Sequence, residues 1–419
     1  MTEHEPDTVR PPPIGTALER LYARGSHGVE LGLDRVREAS QRLGDPHRWA
    51  TYVHVAGTNG KGSTAAFLAT MGRAAGARVG LYTSPHLCRF AERIQVDGQP
   101  IDDGLLSRAL TAALDAGPDL TFFEVATLAA FVAFRATGVT LPILEVGLGG
   151  RLDATNIVEG RAVTVITRIA FDHTEYLGPT LRHIAREKAG ILRPGTPAIV
   201  GRLHPDALDE IRQATALLGT TVHEATGPDE QAFLEAYPPS LPGVFQRSNA
   251  LCAVAAARAL GLAPAAIAQG LVETRWPGRC EILETPEGYT LLDCAHNADG
   301  ALALKNTLLG FVTSVPRKHV ALVFGALADK NWGAMLDRVG PVAGHRVYVE
   351  SVSSRPAASI GQLRAHLEGE GAESPMAAVA LARQKVGRGG LVVVCGSIFL
   401  VGAVRAAILG LPVDPPIAL

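Results

Sequence analysis

Residues Val53–Thr64 read VHVAGTNGKGST, a β-branched apolar run that turns through glycines into Lys-Gly-Ser-Thr. The phosphate-loop pattern G-x-x-x-x-G-K-[ST] would put Gly at position 55 and Ser or Thr at position 62, but the chain carries Val55 and Gly62. The stretch nonetheless follows a strand pattern and precedes a helix rich in Ala and Leu. Its turn therefore offers backbone N–H groups at a helix N-terminus, where unpaired donors and the helix dipole favour an anion. Lys61 adds a point charge for outer phosphates, and Ser63 or Thr64 a hydroxyl near a metal ion. The alternative is a plain strand-to-helix turn with an exposed lysine. Gly57, Gly60 and Gly62 beside Lys61 favour phosphate.

The rest of the chain is consistent with a small-molecule enzyme. Its 419 residues are 47% hydrophobic and 19% charged, enough apolar content for two cores. With a formal charge of −2, nothing in the sequence resembles the basic stripe that nucleic-acid backbones require, and small-molecule partners are expected. Five scattered cysteines, with no C-x-x-C pair, argue against a disulfide framework or structural zinc and fit a reducing cytoplasm. The start, MTEHEPDTVRPPPIG, is acidic and Pro-rich where a signal peptide is basic then apolar, and no apolar run reaches about 20 residues, the length that spans a membrane. A soluble, cytoplasmic protein is expected.

Short apolar runs alternate with helical periods, the pattern of parallel sheets covered by helices, so the fold class is α/β. Strands are predicted at Thr51–Ala56, Arg78–Tyr82, Pro142–Val146, Ala162–Thr167 and Pro197–Val200, then at Tyr289–Cys294, His319–Phe324, Arg346–Glu350 and Leu391–Cys395. Helices are predicted at Gly62–Ala75 and Glu124–Thr137, then at Asp299–Leu309, Trp332–Val339, Ile360–Leu367, Ala377–Val386 and Phe399–Leu409. Ala225–Gly243, Pro-rich and lacking either period, reads as a loop or insertion. Arg275–Arg279, RWPGR, reads as an interdomain hinge.

Three polar residues stand at predicted strand ends: Ser84 in YTSPHL, Glu145 ending LPILE, and His173 in AFDHT. If their strands are parallel, all three project at the carboxyl edge beside the Gly-rich loop, where open α/β sheets bind ligands. Taken singly, Ser84 is also read as a turn residue and His173 as a cap or core histidine. Glu145 resembles the strand-end carboxylate that holds Mg²⁺ in nucleotide hydrolases. Together hydroxyl, carboxylate and imidazole suit Mg²⁺ or Mn²⁺. In GPTLRHIAREKAGIL, Pro179 suits a helix start and Gly190 its stop. Leu181, Ile184, Ala185 and Lys188 then share one face, opposite Arg182 and Arg186. Lys188 is predicted to point inward, which requires it to be paired, neutral or modified.

GTNGKGS, TSPHL, FFEVATL, LEVGLGGRLDATN, AFDHT, REKAGI, WPGR, DCAHN, FGALADKN and CGSIFLVG, in this order, resemble the folylpolyglutamate synthase and dihydrofolate synthase family of the Mur ligase superfamily. The resemblance runs from about Leu21 to the last helix. It implies a P-loop ATPase domain over residues 1–278, with a mostly parallel sheet, and a smaller Rossmann-like α/β domain over 279–419. The implied reaction is ATP-driven: a carboxylate of dihydropteroate or a reduced folate becomes an acyl phosphate, which the amine of L-glutamate attacks. Carried over by motif, Thr58, Asn59, Gly60, Lys61, Gly62 and Ser63 would hold ATP phosphates. Ser84, Glu145 and His173 would bind two Mg²⁺ ions, and Lys188 would be carbamylated, turning a buried cation into an anion. Lys61, Glu145, His173 and Lys188 would form the catalytic set. Asn249, Arg279, Asp293 and His296 match ATP-contacting positions. The pterin would meet Thr121, Phe122, Phe123, Glu124, Leu152, Asp153, Ala154 and the segment Gly25, Ser26, His27 and Gly28, with core packing the alternative for both phenylalanines. A monomer is expected.

The chain departs from the family's usual residues at Ala298 and Asp299 after DCAHN, at Asn331, and at Arg168, which bears on the pterin or glutamate pocket. The motifs leave open dihydropteroate, reduced folates or both as acceptor. Two other readings are a Mur-type ligase on a UDP-sugar peptide, for which little chain precedes Val53, and a nucleotide-switch ATPase, which would need the loop but not LEVGLGGRLDATN.

Overall fold

The computed structural model describes residues 14–27, 30–311, 316–350 and 355–414. Two sheets carry the fold. The first contains β1 (Tyr52–Ala56), β2 (Val79–Tyr82), β3 (Ile94–Val96), β4 (Gln99–Pro100), β5 (Leu141–Glu145), β6 (Arg161–Ile166), β7 (Ala198–Val200) and β8 (Val222–Glu224), in the order β4-β3-β2-β5-β1-β6-β7-β8. Strands β2, β5, β1, β6, β7 and β8 run parallel, and the β2–β3–β4 edge is antiparallel.

Period-two alternation splits each central strand between two cores. Tyr52, Tyr82 and Leu144 feed one core, closed by helices Ile14–Tyr22, Asp34–Arg42, Asp103–Ala116 and Phe122–Ala136. Val53, Val55, Leu81 and Ile143 feed the other, closed by Lys61–Ala74, Val244–Ala259 and Pro264–Glu273. Because β1, β2, β5 and β6 are parallel, the Gly-rich loop, Ser84, Glu145 and His173 all emerge at one edge, as expected from the strand order of the motifs.

The second sheet contains β9 (Glu281–Thr285), β10 (Gly288–Leu292), β11 (Val320–Phe324), β12 (His345–Tyr348), β13 (Glu370–Gly371) and β14 (Leu391–Cys395), ordered β13-β12-β11-β14-β10-β9 and parallel except for β9. Leu322, Phe324 and Val393 face one layer of helices, and Ala321, Val323 and Val394 the other. The predicted central strands and helices are all present, within a few residues at their ends.

Two expectations need correction. Ala225–Gly243 is not simply a loop: Pro228–Ala236 is helical, with Pro228 in its first turn, where its missing N–H costs nothing. Leu234 is fully buried, and the Glu230 carboxylate accepts from Arg258 on the neighbouring helix. Pro179 does not start the next helix; Thr180 is the N-cap of Leu181–Ala189, accepting from the His183 N–H. Among the described residues no helix is long and apolar enough to cross a membrane, and all five cysteines are free and buried.

Candidate functional site: the cleft between two sheets

The loop after β1 closes on Gly60, the N-cap of Lys61–Ala74, with φ +91°. A Cβ there would be strained by the backbone and would lie 2.2 Å from Asn249 Oδ1, so only glycine fits. Behind the loop, Asn249 Nδ2 donates to Gln246 Oε1 (2.9 Å) and Gln246 Nε2 donates to Ser63 Oγ (3.2 Å). Lys61 Nζ curls back to donate to the Thr58 carbonyl (3.2 Å). The Asn59 side chain is otherwise engaged. Its Nδ2 donates to Asn297 Oδ1 (3.2 Å) and Asp299 Oδ2 (2.9 Å), and its Oδ1 accepts from Asn297 Nδ2 (3.1 Å). The Asn59 carbonyl accepts from Thr167 Oγ1 (2.8 Å), while its side-chain amide links the loop to the start of the second domain.

Glu145 is 6% exposed at the end of β5, and its Oε2 accepts from the Ser84 N–H (3.2 Å). Burial raises its pKa, opposed by Lys61, the Ser84 N–H and Arg279. His173 sits in left-handed backbone (φ +51°), and burial lowers its pKa, leaving a neutral imidazole with a lone pair for a metal. Lys188 is buried as its helical face predicts, with Nζ donating to the Gly57 carbonyl (2.9 Å). Burial, then the Lys61 charge, lowers its pKa to about 7.

From the second sheet come Arg279, Asp293 and His296. Asp293 accepts from the N–H groups of Cys280 and Ala295, both at 2.9 Å, and burial raises its pKa. His296 Nδ1 lies 2.9 Å from the Cys294 carbonyl, and burial lowers its pKa to about 4. Between the lobes stands Asp172, which the sequence reading passed over. It accepts from Lys330 Nζ (3.0 Å) and Asn297 Nδ2 (3.0 Å). Burial would raise its pKa, but His173, Lys330, His296 and Asn297 hold it well below the carboxylate range. Its signal was there: Asp172 lies in AFDHT and Lys330 in FGALADKN.

At the other end, Thr121 and Glu124 form a capping box, and Glu124 Oε1 also accepts from Arg35 (3.3 Å). Phe122 packs and lines the cleft at once: it is 5% exposed and stacks on Tyr22 with ring centres 6.2 Å apart. Phe123 is half-buried beside Tyr82. Asp153 accepts from the Leu148 and Thr155 N–H groups, shaping the Leu152–Ala154 turn. Gly28, and the side chains of Ser26 and His27, lie outside the described residues. Thr64 is buried away from the cleft, its Oγ1 donating to the Asn249 carbonyl (3.3 Å), and every other residue expected at the site lines one cleft of about 740 Å³.

Among the described residues no three His, Cys, Asp or Glu form a ready-made metal cage. The donor set of Ser84, Glu145 and His173 still fits a hard divalent cation that draws its remaining ligands from phosphate and water. Glu145 Oε2 lies 3.4 Å from where a Cβ on Gly62 would stand, so the carboxylate meets the phosphate loop directly.

A phosphate loop facing a second parallel sheet across one cleft, with buried carboxylate and lysine between, defines an ATP-dependent ligase that forms C–N bonds. Residues 278–398 match the family model described as Mur ligase, glutamate ligase domain. The chain belongs to the folylpolyglutamate synthase/dihydrofolate synthase family. It is 37% identical over 414 residues to dihydrofolate synthase/folylpolyglutamate synthase of Escherichia coli K12, covering 94% of this chain and 96% of that one. It is 34% identical over 430 residues to folylpolyglutamate synthase of Lacticaseibacillus casei, covering 94% and 97%. Among solved structures, E. coli FolC in complex with DHPP and ADP superposes with TM-score 0.85 at 35% identity, covering 95% and 98% of the two chains. The bifunctional enzyme with Mn, AMPPNP and L-glutamate bound gives 0.82 at 34%, with the same coverages.

Proposed function

We propose that this chain joins L-glutamate to dihydropteroate and to the γ-carboxylate of reduced folates, each through an acyl phosphate. The observation that carries this reading is the single cleft, which brings the phosphate loop, Lys188 and the Phe123–Asp153 end together. We assign residues 1–278 to the ATPase domain and 279–419 to the ligase domain, and place the protein in the cytoplasm as a monomer.

An acceptor carboxylate oxygen attacks the γ-phosphorus, and the bond to the bridging oxygen of ADP breaks. The glutamate amine then attacks the acyl carbon, phosphate leaves, and the amine gives up a proton. Lys61 and the N–H groups of residues 60–63 hold the phosphates, the Thr58 N–H being taken by the Arg168 carbonyl (2.7 Å), so charge moves among oxygens that already face fixed donors. Ser84, Glu145 and His173 would hold Mg²⁺, which when bound neutralises phosphate charge. Asp293, His296 and Arg279 approach the nucleotide from the second domain. Lys188, with a pKa of about 7, is partly neutral near pH 7; its neutral amine adds CO₂ at Nζ and loses a proton, giving a carbamate that is negative where the ammonium is positive.

The test is phosphate release with ATP, glutamate and each acceptor in turn. Stimulation by both acceptors is expected. Stimulation by one narrows the reading, and none with either overturns it.

A further inference from the structure

One strongly basic group on the cleft wall has no part in the chemistry above. Arg93, just before β3, is 2% exposed yet lines the cleft beside Ser84 and Phe122. Its Nε donates to His86 Nδ1 (2.9 Å), and its Cζ lies 5.4 Å and 5.1 Å from the ring centres of Phe90 and Phe122. Nη2 is buried with no hydrogen-bond partner. Among the described residues Arg93 makes no ion pair. The nearby carboxylates are committed elsewhere: Glu92 accepts from the Leu87, Cys88 and Arg89 N–H groups, and Glu145 from Ser84. Tyr22, stacked on Phe122, leaves its own buried hydroxyl unpartnered.

A guanidinium has five donors in one plane, and two aromatic faces offset only part of the cost of removing it from water. An unsatisfied buried donor is expensive and needs a reason. Here the Nε–His86 bond and the two rings fix the fork's orientation, which is how a site for a planar oxygen-bearing ligand is preorganised.

We propose that Arg93 is an acceptor-recognition residue: its free η edge binds an oxygen of the folate-type substrate, the ring carbonyl or the carboxylate. This rests on the ligase reading above. The aromatic surroundings suit a flat ring, and a donor-lined site rejects ligands that leave it unpaired.

Arg93→Met keeps an apolar stem between the rings. In this variant the KM for dihydropteroate should rise at least tenfold, equivalent to 1.4 kcal/mol, with the KM for ATP unchanged. An unchanged acceptor KM in the folded variant overturns the proposal. Two fragments locate the oxygen, by competition against wild type and variant. A 6-hydroxymethyl-dihydropterin carries the carbonyl alone, and p-aminobenzoate the carboxylate alone. The fragment whose inhibition weakens in the variant identifies the group bound, and equal inhibition of both proteins by both fragments counts against any contact. Should Arg93→Met not fold, Arg93→Lys retains the charge but loses the fork, and is read the same way. In wild-type protein with ¹⁵N-labelled arginine, a buried guanidinium signal should shift with acceptor alone and not with ATP alone; no shift overturns the assignment. Wild-type enzyme without acceptor-dependent ADP release would condemn the ligase reading, whereas an active wild type with an unaltered Arg93→Met condemns only Arg93.

Discussion

At the scale of single residues, Lys188 shows how a buried charge and a function are linked. Its folded pKa, about 7, lies below the ordinary 10.5, so between those values the unfolded chain holds a proton that the folded one lacks. Folding stability then rises with pH through this window, and the cost of Lys188 is fully present below pH 7. In CO₂-depleted buffer, Lys188→Met should be more stable than wild type at pH 6–7, by about 1 kcal/mol or more, with the gap closing toward pH 10. Paired denaturant titrations measure this, and a constant gap would mean that Lys188 does not titrate as its burial implies. Lys188→Ala should lose activity and regain part of it with a short carboxylic acid, which would stand in for the oxygens of the proposed carbamate; full unsupplemented activity rejects the carbamate. Gly60 is constrained by space instead. Gly60→Ala must push Asn249 away and hold a positive φ, so ATP affinity should fall at least tenfold by titration calorimetry.

At the scale of elements, the helix Val244–Ala259 carries the loop's support. Gln246, fully buried, bridges Ser63 and Asn249, so Gln246→Ala leaves both without that bond in a dry site. A stability loss of about 1–3 kcal/mol and a raised KM for ATP are expected, read by thermal melting and steady-state kinetics. Central strands were legible because β1, with all five residues buried, needs an apolar run whatever surrounds it. Strand β9 was not: in EILET, Ile282 and Glu284 are exposed and the other three residues half-buried, so no apolar face marks it. The helix Pro228–Ala236 was hidden for a related reason. Nine residues are too few to show a clear period or to be stable alone, and Leu234 secures it by burial against a distant helix.

At the scale of the molecule, two departures from the family pattern meet. Arg168, after β6, donates to both carboxylate oxygens of Asp299, which heads the helix Ala298–Phe311 of the second domain, at 2.6–2.8 Å. Asp299 also accepts from Asn59 of the Gly-rich loop (2.9 Å), so the clasp links that loop to the second domain. Arg168 also lines the cleft, so its link to Asp299 and its bearing on the pocket belong to the same wall. Arg168 is 55% exposed, so the pair contributes roughly 0.2–1 kcal/mol and is screened by salt. Arg168→Ala should enlarge the radius of gyration of the nucleotide-free protein in X-ray scattering and lower turnover by about threefold. High salt should shift wild type the same way, and identical scattering of the two proteins would argue against a clasp.

The sequence by itself determined the α/β class, the loop at the end of β1, and the strand ends that carry Ser84, Glu145 and His173, because burial period and turn chemistry are local. The inward face of Lys188 was equally local, set by helical spacing. Only the tertiary structure decided that Asn59 reaches across to Asp299, that Asp172 is held by Lys330, and that Arg93 stands among aromatic rings with a free edge. Arg168 and Asp299 are 131 residues apart in the chain. No periodicity connects such partners; they become neighbours only when both sheets are built and the loops at their edges meet across the cleft.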